Sequence, residues 1–291
     1  MWAVGKWRSL RIDRDEDLDL ANFFRAVERS VWLTGMFVVF GTELAVKRPK
    51  TREARADWLH RFCARAVRGL GVEIDVVGRF PERGSVISNH LSYVDIVVFA
   101  ALHPCVFVAK AEIAQWPVVG WMTTMSGTVY VARGHGGSAM KARRGMQATV
   151  DAGLPVVFFP EGTTTNGGQM LKFHSGLLAQ AMLGGGPVTA AHLRYRLDVA
   201  NGPGVSVADD VCYWGDANML RHIFTFLGLR GVRAEVRFAD GPIEFSNDEL
   251  HRKGAAVEAR AAVAALAEGA SASTTKRVMS APGAAPSEPA T

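Results

Sequence analysis

Ser85-Val-Ile-Ser-Asn-His-Leu-Ser-Tyr-Val-Asp95 is the stretch on which the fold turns. Ser85 to Ser88 is small and apolar enough for a short buried strand, and His90 sits where that strand stops. Tyr93 to Leu102 then reads as a helix, ended before Pro104. Positions five apart on a regular helix point away from each other, because each residue turns about 100°. His90 and Asp95 therefore meet only if His90 precedes the helix and Asp95 lies in its first turn. Ser92 is a suitable N-cap with Asp95 three residues on. A carboxylate there would accept from one imidazole nitrogen, fix the tautomer and raise the basicity of the other. The same Ser92-x-x-Asp95 spacing also fits a plain capping box, and taken alone it does not separate the two.

Working outward, strands and helices alternate. Strands are expected at Val72–Val77, Val106–Ala109, Gly127–Val131, Pro155–Phe159, Val188–Leu193 and Val232–Phe238. Helices are expected at Asp57–Leu70, Met140–Ala152, Gly176–Leu183 and Asp248–Ala267. This alternation predicts an α/β fold with a mainly parallel central sheet flanked by helices. In such sheets ligands bind where strand ends gather. The buried strand ending in Phe159-Pro-Glu161-Gly162-Thr163-Thr164-Thr165 would bring Glu161 to the same edge as His90. Gly162 to Gly167 has phosphate-loop-like spacing, but Gly168-Gln169 follows where Lys-Ser/Thr is required, which disfavours nucleotide hydrolysis.

With 291 residues, 48% of them hydrophobic, the chain can bury one large core. Mean hydropathy is +0.09 and the pI is near 9.3. The net charge of +5 favours anionic partners. No basic or aromatic motif points to nucleic acid. Three scattered cysteines, Cys63, Cys105 and Cys212, argue against a disulfide framework or a zinc ribbon. No short-spaced ligand pair suggests a metal site.

The first twenty residues are too acidic for a signal peptide. Val31 to Val46 is apolar but only 16 residues long, against about 20 for a full span. Arg25 and Arg29 precede it; Lys47, Arg48, Lys50, Arg52 and Arg55 follow. We expect a helix dipping into one leaflet, monotopic or peripheral, with the protein on the cytosolic face of the inner membrane. A buried core helix is the alternative. Trp2, Trp7 and Trp32 are candidate interface residues. The expected organisation is a helical membrane-association region over 1–70, an α/β domain over 71–245, a helix over 246–268 and a disordered tail over 269–291.

Asn89-His90-x-x-x-x-Asp95 together with Phe159-Pro-Glu-Gly-Thr163 resembles the glycerolipid acyltransferase family. Gly127-x-x-x-x-x-Arg133, the Lys110 connector and the Pro187-Val188 strand resemble its other blocks, in order. The resemblance implies a membrane-lipid O-acyltransferase. His90 would be the general base and Asp95 its orienting partner. Asn89, Ser92, Lys110, Arg133, Glu161, Gly162, Thr163 and Thr164 would shape or bind the substrate. No cofactor is implied: acyl-CoA or acyl carrier protein is the donor substrate, a lyso-lipid the acceptor, and a membrane lipid surface the partner. Many family members carry Arg where this chain has Thr164, which removes a bidentate phosphate contact. Tyr213-Trp-Gly-Asp216 is similar to relatives that acylate lyso-ornithine lipid. A non-catalytic lipid-binding protein and a thioesterase are the alternatives. His174 and the His192-Leu-Arg194-Tyr-Arg196 run are weaker candidates for substrate or anion contact.

Overall fold

The computed structural model describes residues 20–116, 119–132, 136–184, 186–246, 252–269 and 276–279. Its strands are β1 (Glu73–Val77), β2 (Ser85–Ile87), β3 (Val106–Lys110), β4 (Val129–Val131), β5 (Val156–Phe158), β6 (Val188–Leu197), β7 (Val232–Phe238) and β8 (Lys276–Met279). They form one sheet in the order β4-β3-β5-β2-β6-β7-β1-β8. From β4 to β6 every pairing is parallel. β7 is antiparallel to β6 and parallel to β1, so these two run against the rest. The sheet is thus mainly parallel, as the alternation of elements predicts.

The helices are α1 (Leu20–Lys47), α2 (Arg52–Gly69), α3 (Val94–Leu102), α4 (Val119–Met125), α5 (Gly136–Asp151), α6 (Ser175–Leu183), α7 (Met219–Gly228) and α8 (Arg252–Glu268). Side chains of a strand alternate between faces, and both faces of this sheet are covered. Val86 and Val157 pack with Phe40 of α1, Phe62 of α2, Phe99 of α3 and Phe226 of α7. Ile87, Val156 and Phe158 pack on the other side with Met146 of α5, Leu178 of α6 and Val263 of α8. Strands covered on both faces read as continuous apolar runs, as Val156-Val-Phe158 does. Cys63, Cys105 and Cys212 are buried free thiols.

α1 is longer than its apolar run. It extends back through Arg25 and Arg29, which are not lipid-facing charges but structural donors. Arg25 Nη1 donates to the Gly228 carbonyl at 2.7 Å, and Arg29 Nη1 to Leu229 at 2.6 Å and Leu227 at 3.1 Å. These are the orphan carbonyls at the end of α7. By length and composition α1 is long and apolar enough to cross a membrane. One stripe, Ala26, Met36, Phe40 and Leu44, is buried in the core. Leu20, Phe24, Val27, Val31 and Val38 are exposed, and their spacing places them together on the opposite face.

Other elements depart from expectation. β6 runs past Leu193 to Leu197, because Arg194 and Arg196 alternate outward while Tyr195 turns inward. The short helices α4 and α7 were not expected. The tail was expected to be disordered from residue 269, yet Lys276–Met279 pairs antiparallel with β1 through its backbone. Trp2 and Trp7 lie outside the described residues. His103 stacks on Phe80 at 5.1 Å.

Candidate active site

The register of the sheet places the site. Ile87 at the end of β2 pairs with Phe158 at the end of β5. His90 and Glu161 each lie three residues beyond these partners, so the two turns meet side by side. Glu161 Oε1 accepts from the His90 backbone N–H at 2.8 Å, and its Oε2 accepts from the Leu171 N–H at 2.7 Å. The Thr165 N–H donates to the His90 carbonyl at 3.0 Å. Gly162 has φ +67°, a left-handed conformation that favours glycine and lets the chain turn at once after Glu161. Burial pushes the Glu161 carboxyl above its ordinary pKa, against the two N–H donors.

His90 precedes α3 and Asp95 lies in its first turn, as the five-residue spacing requires. His90 Nδ1 lies 2.7 Å from Asp95 Oδ2. The same oxygen accepts from the backbone N–H groups of Leu91 at 2.7 Å and Ser92 at 3.0 Å. Asp95 Oδ1 accepts from the Tyr195 hydroxyl at 2.8 Å. Asp95 is fully buried, and the His90 side chain is 17% exposed. The imidazole stacks on Phe159 with ring centroids 4.0 Å apart and planes 7° apart. With Asp95 accepting at Nδ1, the proton sits on Nδ1 and Nε2 is left with a free lone pair. No hydrogen bond to Nε2 forms among the described residues. The ring is thus held on its edge and its face while one nitrogen is left to accept a proton.

Ser92 does not act as the N-cap. α3 starts at Val94, and Tyr93 at its cap is already helical, with no side-chain cap bond. Only the carboxylate half of the capping box forms: Asp95 reaches back to the Ser92 N–H. The Ser92 hydroxyl is fully buried and has no partner among the described residues. Asn89 likewise faces the scaffold. Its amide donates to the Leu193 carbonyl at 2.9 Å and accepts from the Leu193 N–H at 2.8 Å, clamping the turn to β6. Lys110 is exposed at the end of β3; Thr163 is exposed and Thr164 partly so. Arg133 lies outside the described residues.

His174 is exposed, and its N–H donates to the Pro160 carbonyl at 2.8 Å, bracing the Glu161 turn. In the His192–Arg196 run Arg194 is exposed. Arg196 pairs with Glu235 at 3.4 Å, and burial holds His192 neutral, its pKa down to about 4. Tyr195 was not foreseen as a partner of Asp95, although its inward position on an alternating strand was a signal. Nor was the tie from the Tyr213 N–H to the Leu91 carbonyl at 2.8 Å, which joins the Tyr213–Asp216 loop to the histidine turn.

An acyltransferase family model matches residues 73–193. A lyso-ornithine lipid O-acyltransferase of Brucella abortus is 30% identical over 209 residues, 68% of this chain and 75% of that protein. The chain belongs to the acyltransferase family. A lyso-ornithine lipid O-acyltransferase of Pseudomonas aeruginosa is 36% identical over 180 residues, 62% of this chain and 65% of that acyltransferase. A 1-acyl-sn-glycerol-3-phosphate acyltransferase of Neisseria gonorrhoeae is 35% identical over 133 residues, 45% of this chain and 52% of its own length. The chain therefore spans between half and two thirds of these last two relatives. The crystal structure of the 1-acyl-sn-glycerophosphate acyltransferase of Thermotoga maritima superposes with a TM-score of 0.59 at 18% identity, covering 86% of this chain and 98% of that one. At that identity the likeness speaks to the fold, and it agrees with a mostly parallel sheet flanked by helices.

Proposed function

We propose that the protein is an O-acyltransferase that moves a fatty acyl group from acyl-CoA or acyl carrier protein to the hydroxyl of a lyso-lipid. The observation that carries this reading is the imidazole anchored at Nδ1 by a buried carboxylate with Nε2 unengaged. In this account His90 Nε2 takes the proton of the acceptor hydroxyl. The oxygen attacks the thioester carbonyl, and the C–S bond breaks. The departing thiolate recovers the proton from the imidazolium, leaving an ester and a free thiol. Asp95 holds the tautomer and offsets the transient positive charge on the ring. Glu161 does not touch the reacting atoms in this scheme; it fixes the His90 backbone. Lys110 and Arg133 are assigned to the negative charge of the substrates, and Thr163 and Thr164 to the wall of the acceptor site.

Lyso-ornithine lipid is the acceptor class we favour. Two of its named acyltransferases match more of this chain than the glycerol-phosphate enzyme does. Thr164 also stands where a phosphate-binding arginine would be expected. The exposed apolar stripe of α1 supports a place on the membrane surface, with the site on the cytosolic side. The test is thioester consumption by the purified protein with lyso-ornithine lipid, lysophosphatidate or lysophosphatidylcholine as acceptor. Acylation of lyso-ornithine lipid above the other two is expected. Preference for lysophosphatidate would overturn the acceptor assignment. Release of free fatty acid at one rate with or without acceptor would replace transfer by hydrolysis.

A further inference from the structure

A cavity of about 360 Å³ is lined by residues from the end of α1, the turn after it, the start of α2 and α4. None of its lining residues belongs to the His90 network. Arg52 at the start of α2 donates to Thr149 Oγ1 near the end of α5, the end that leads into β5. The α1–α2 turn therefore lies toward the edge where β5 begins, whereas His90 lies at the edge where β5 ends.

Arg48, Lys50 and Arg55 line the cavity together with Ala45, Trp121 and Met125, and no carboxylate does. The two arginines are pinned by one nitrogen each. Arg48 Nε donates to the Ala45 carbonyl at 3.1 Å, and Arg55 Nε to the Pro49 carbonyl at 2.9 Å. None of the three cations has an ion-pair partner among the described residues. The acid on the adjoining stretch of α1, Glu43, is held by Arg61 at 2.8 Å and Lys47 at 3.0 Å. Arg48 has φ +42°, a left-handed conformation uncommon outside glycine, and such strain tends to gather at ligand sites. Trp121 forms an apolar wall, lying against α1 at Gly41, and is 43% exposed.

Three unpaired cations beside an indole suit a phosphate carried on an apolar body. We propose that this cavity is a second lipid site, separate from the acceptor site, which takes the headgroup of an acidic phospholipid at the membrane surface. Its position argues for that source. The cavity lies at the end of α1, whose second half also exposes Val38, Val39 and Val46. Tryptophan and basic side chains at such a boundary are the groups that settle at headgroup level. The site rests on the reading of α1 as a membrane-surface helix. It would hold the enzyme in one orientation on acidic membranes.

The test is a titration of the full-length protein with short-chain phosphatidylglycerol below its micellar concentration, followed by tryptophan fluorescence. Phosphatidylcholine of the same chain length, inorganic phosphate and coenzyme A are titrated alongside. Saturable binding of phosphatidylglycerol over phosphatidylcholine is expected, with the fluorescence change lost in Trp121→Phe. Lys50→Gln, which removes no hydrogen bond seen in the fold, should weaken binding about fivefold. Lys253→Gln, an equal charge change at an exposed position of α8, should leave it unaltered. Equal affinity for the two lipids, or wild-type binding by Lys50→Gln and Trp121→Phe, overturns the site. Tighter binding of coenzyme A through the same residues also overturns it, by assigning the cavity to the acyl donor. Because monomeric lipid needs no bilayer, co-sedimentation with vesicles reports separately on the membrane reading.

Discussion

Asp95 accepts from His90 Nδ1 and from the N–H groups of Leu91 and Ser92 on one oxygen, and from the Tyr195 hydroxyl on the other. Each donor delocalises its negative charge and so tempers how strongly it holds an imidazolium. Tyr195→Phe removes one donor and nothing else. The variant should lower kcat roughly two- to tenfold with KM held; a purely structural tyrosine would change stability and leave kcat in place. Glu161→Gln tests the other turn. An amide cannot accept from both the His90 and Leu171 N–H groups, so the variant should be about 1–3 kcal/mol less stable near neutral pH by denaturant unfolding. The sign of the pH effect follows from burial. The folded protein binds a proton at Glu161 more tightly than the unfolded chain does. That contribution to stability is fully present below the unfolded carboxyl pKa and is lost as pH rises toward the raised folded value. The variant should lack this slope. The pairing of His90 with Asp95 was legible from a break in helical periodicity. Tyr195 was not, because a contact across a hundred positions of sequence leaves no local pattern. The clamp of Asn89 on Leu193 was not legible for a related reason: a polar residue beside a histidine looks the same whether it faces ligand or scaffold.

Among the elements, β1 to β7 were legible because each is an apolar run, or an alternation of apolar with charged residues, bounded by turn residues. The helical turns of α1 that precede its apolar run were not. Its first turns carry Arg25 and Arg29, whose role depends on carbonyls of α7 some two hundred residues away. β8 was missed because edge pairing uses the backbone and needs no apolar signature. The packing of α1 on α2 makes a firm prediction. A Cβ at Gly69 would overlap the indole of Trp32. Gly69→Ala must therefore displace a ring on α1, and thermal unfolding should show a loss of about 1–3 kcal/mol. An unchanged midpoint would mean that Trp32 does not lie against α2.

For the molecule as a whole, two features belong to one account: a site at one edge of the sheet and a helix that buries one apolar stripe while exposing another. Replacing Val31 and Val38 by serine touches only the exposed stripe. Vesicle co-sedimentation should fall while the unfolding midpoint holds; equal loss of both would place these residues in the fold instead. Such variants separate delivery to the membrane from chemistry, and in the proposed mechanism the chemistry rests on His90. The most direct measurement compares wild type with His90→Ala for acyl transfer from acyl-CoA to lyso-ornithine lipid in vesicles. Loss of a general base predicts a fall in kcat of roughly a hundred- to ten-thousandfold with the fold intact. A folded His90→Ala protein that transfers acyl groups at the wild-type rate would contradict the account.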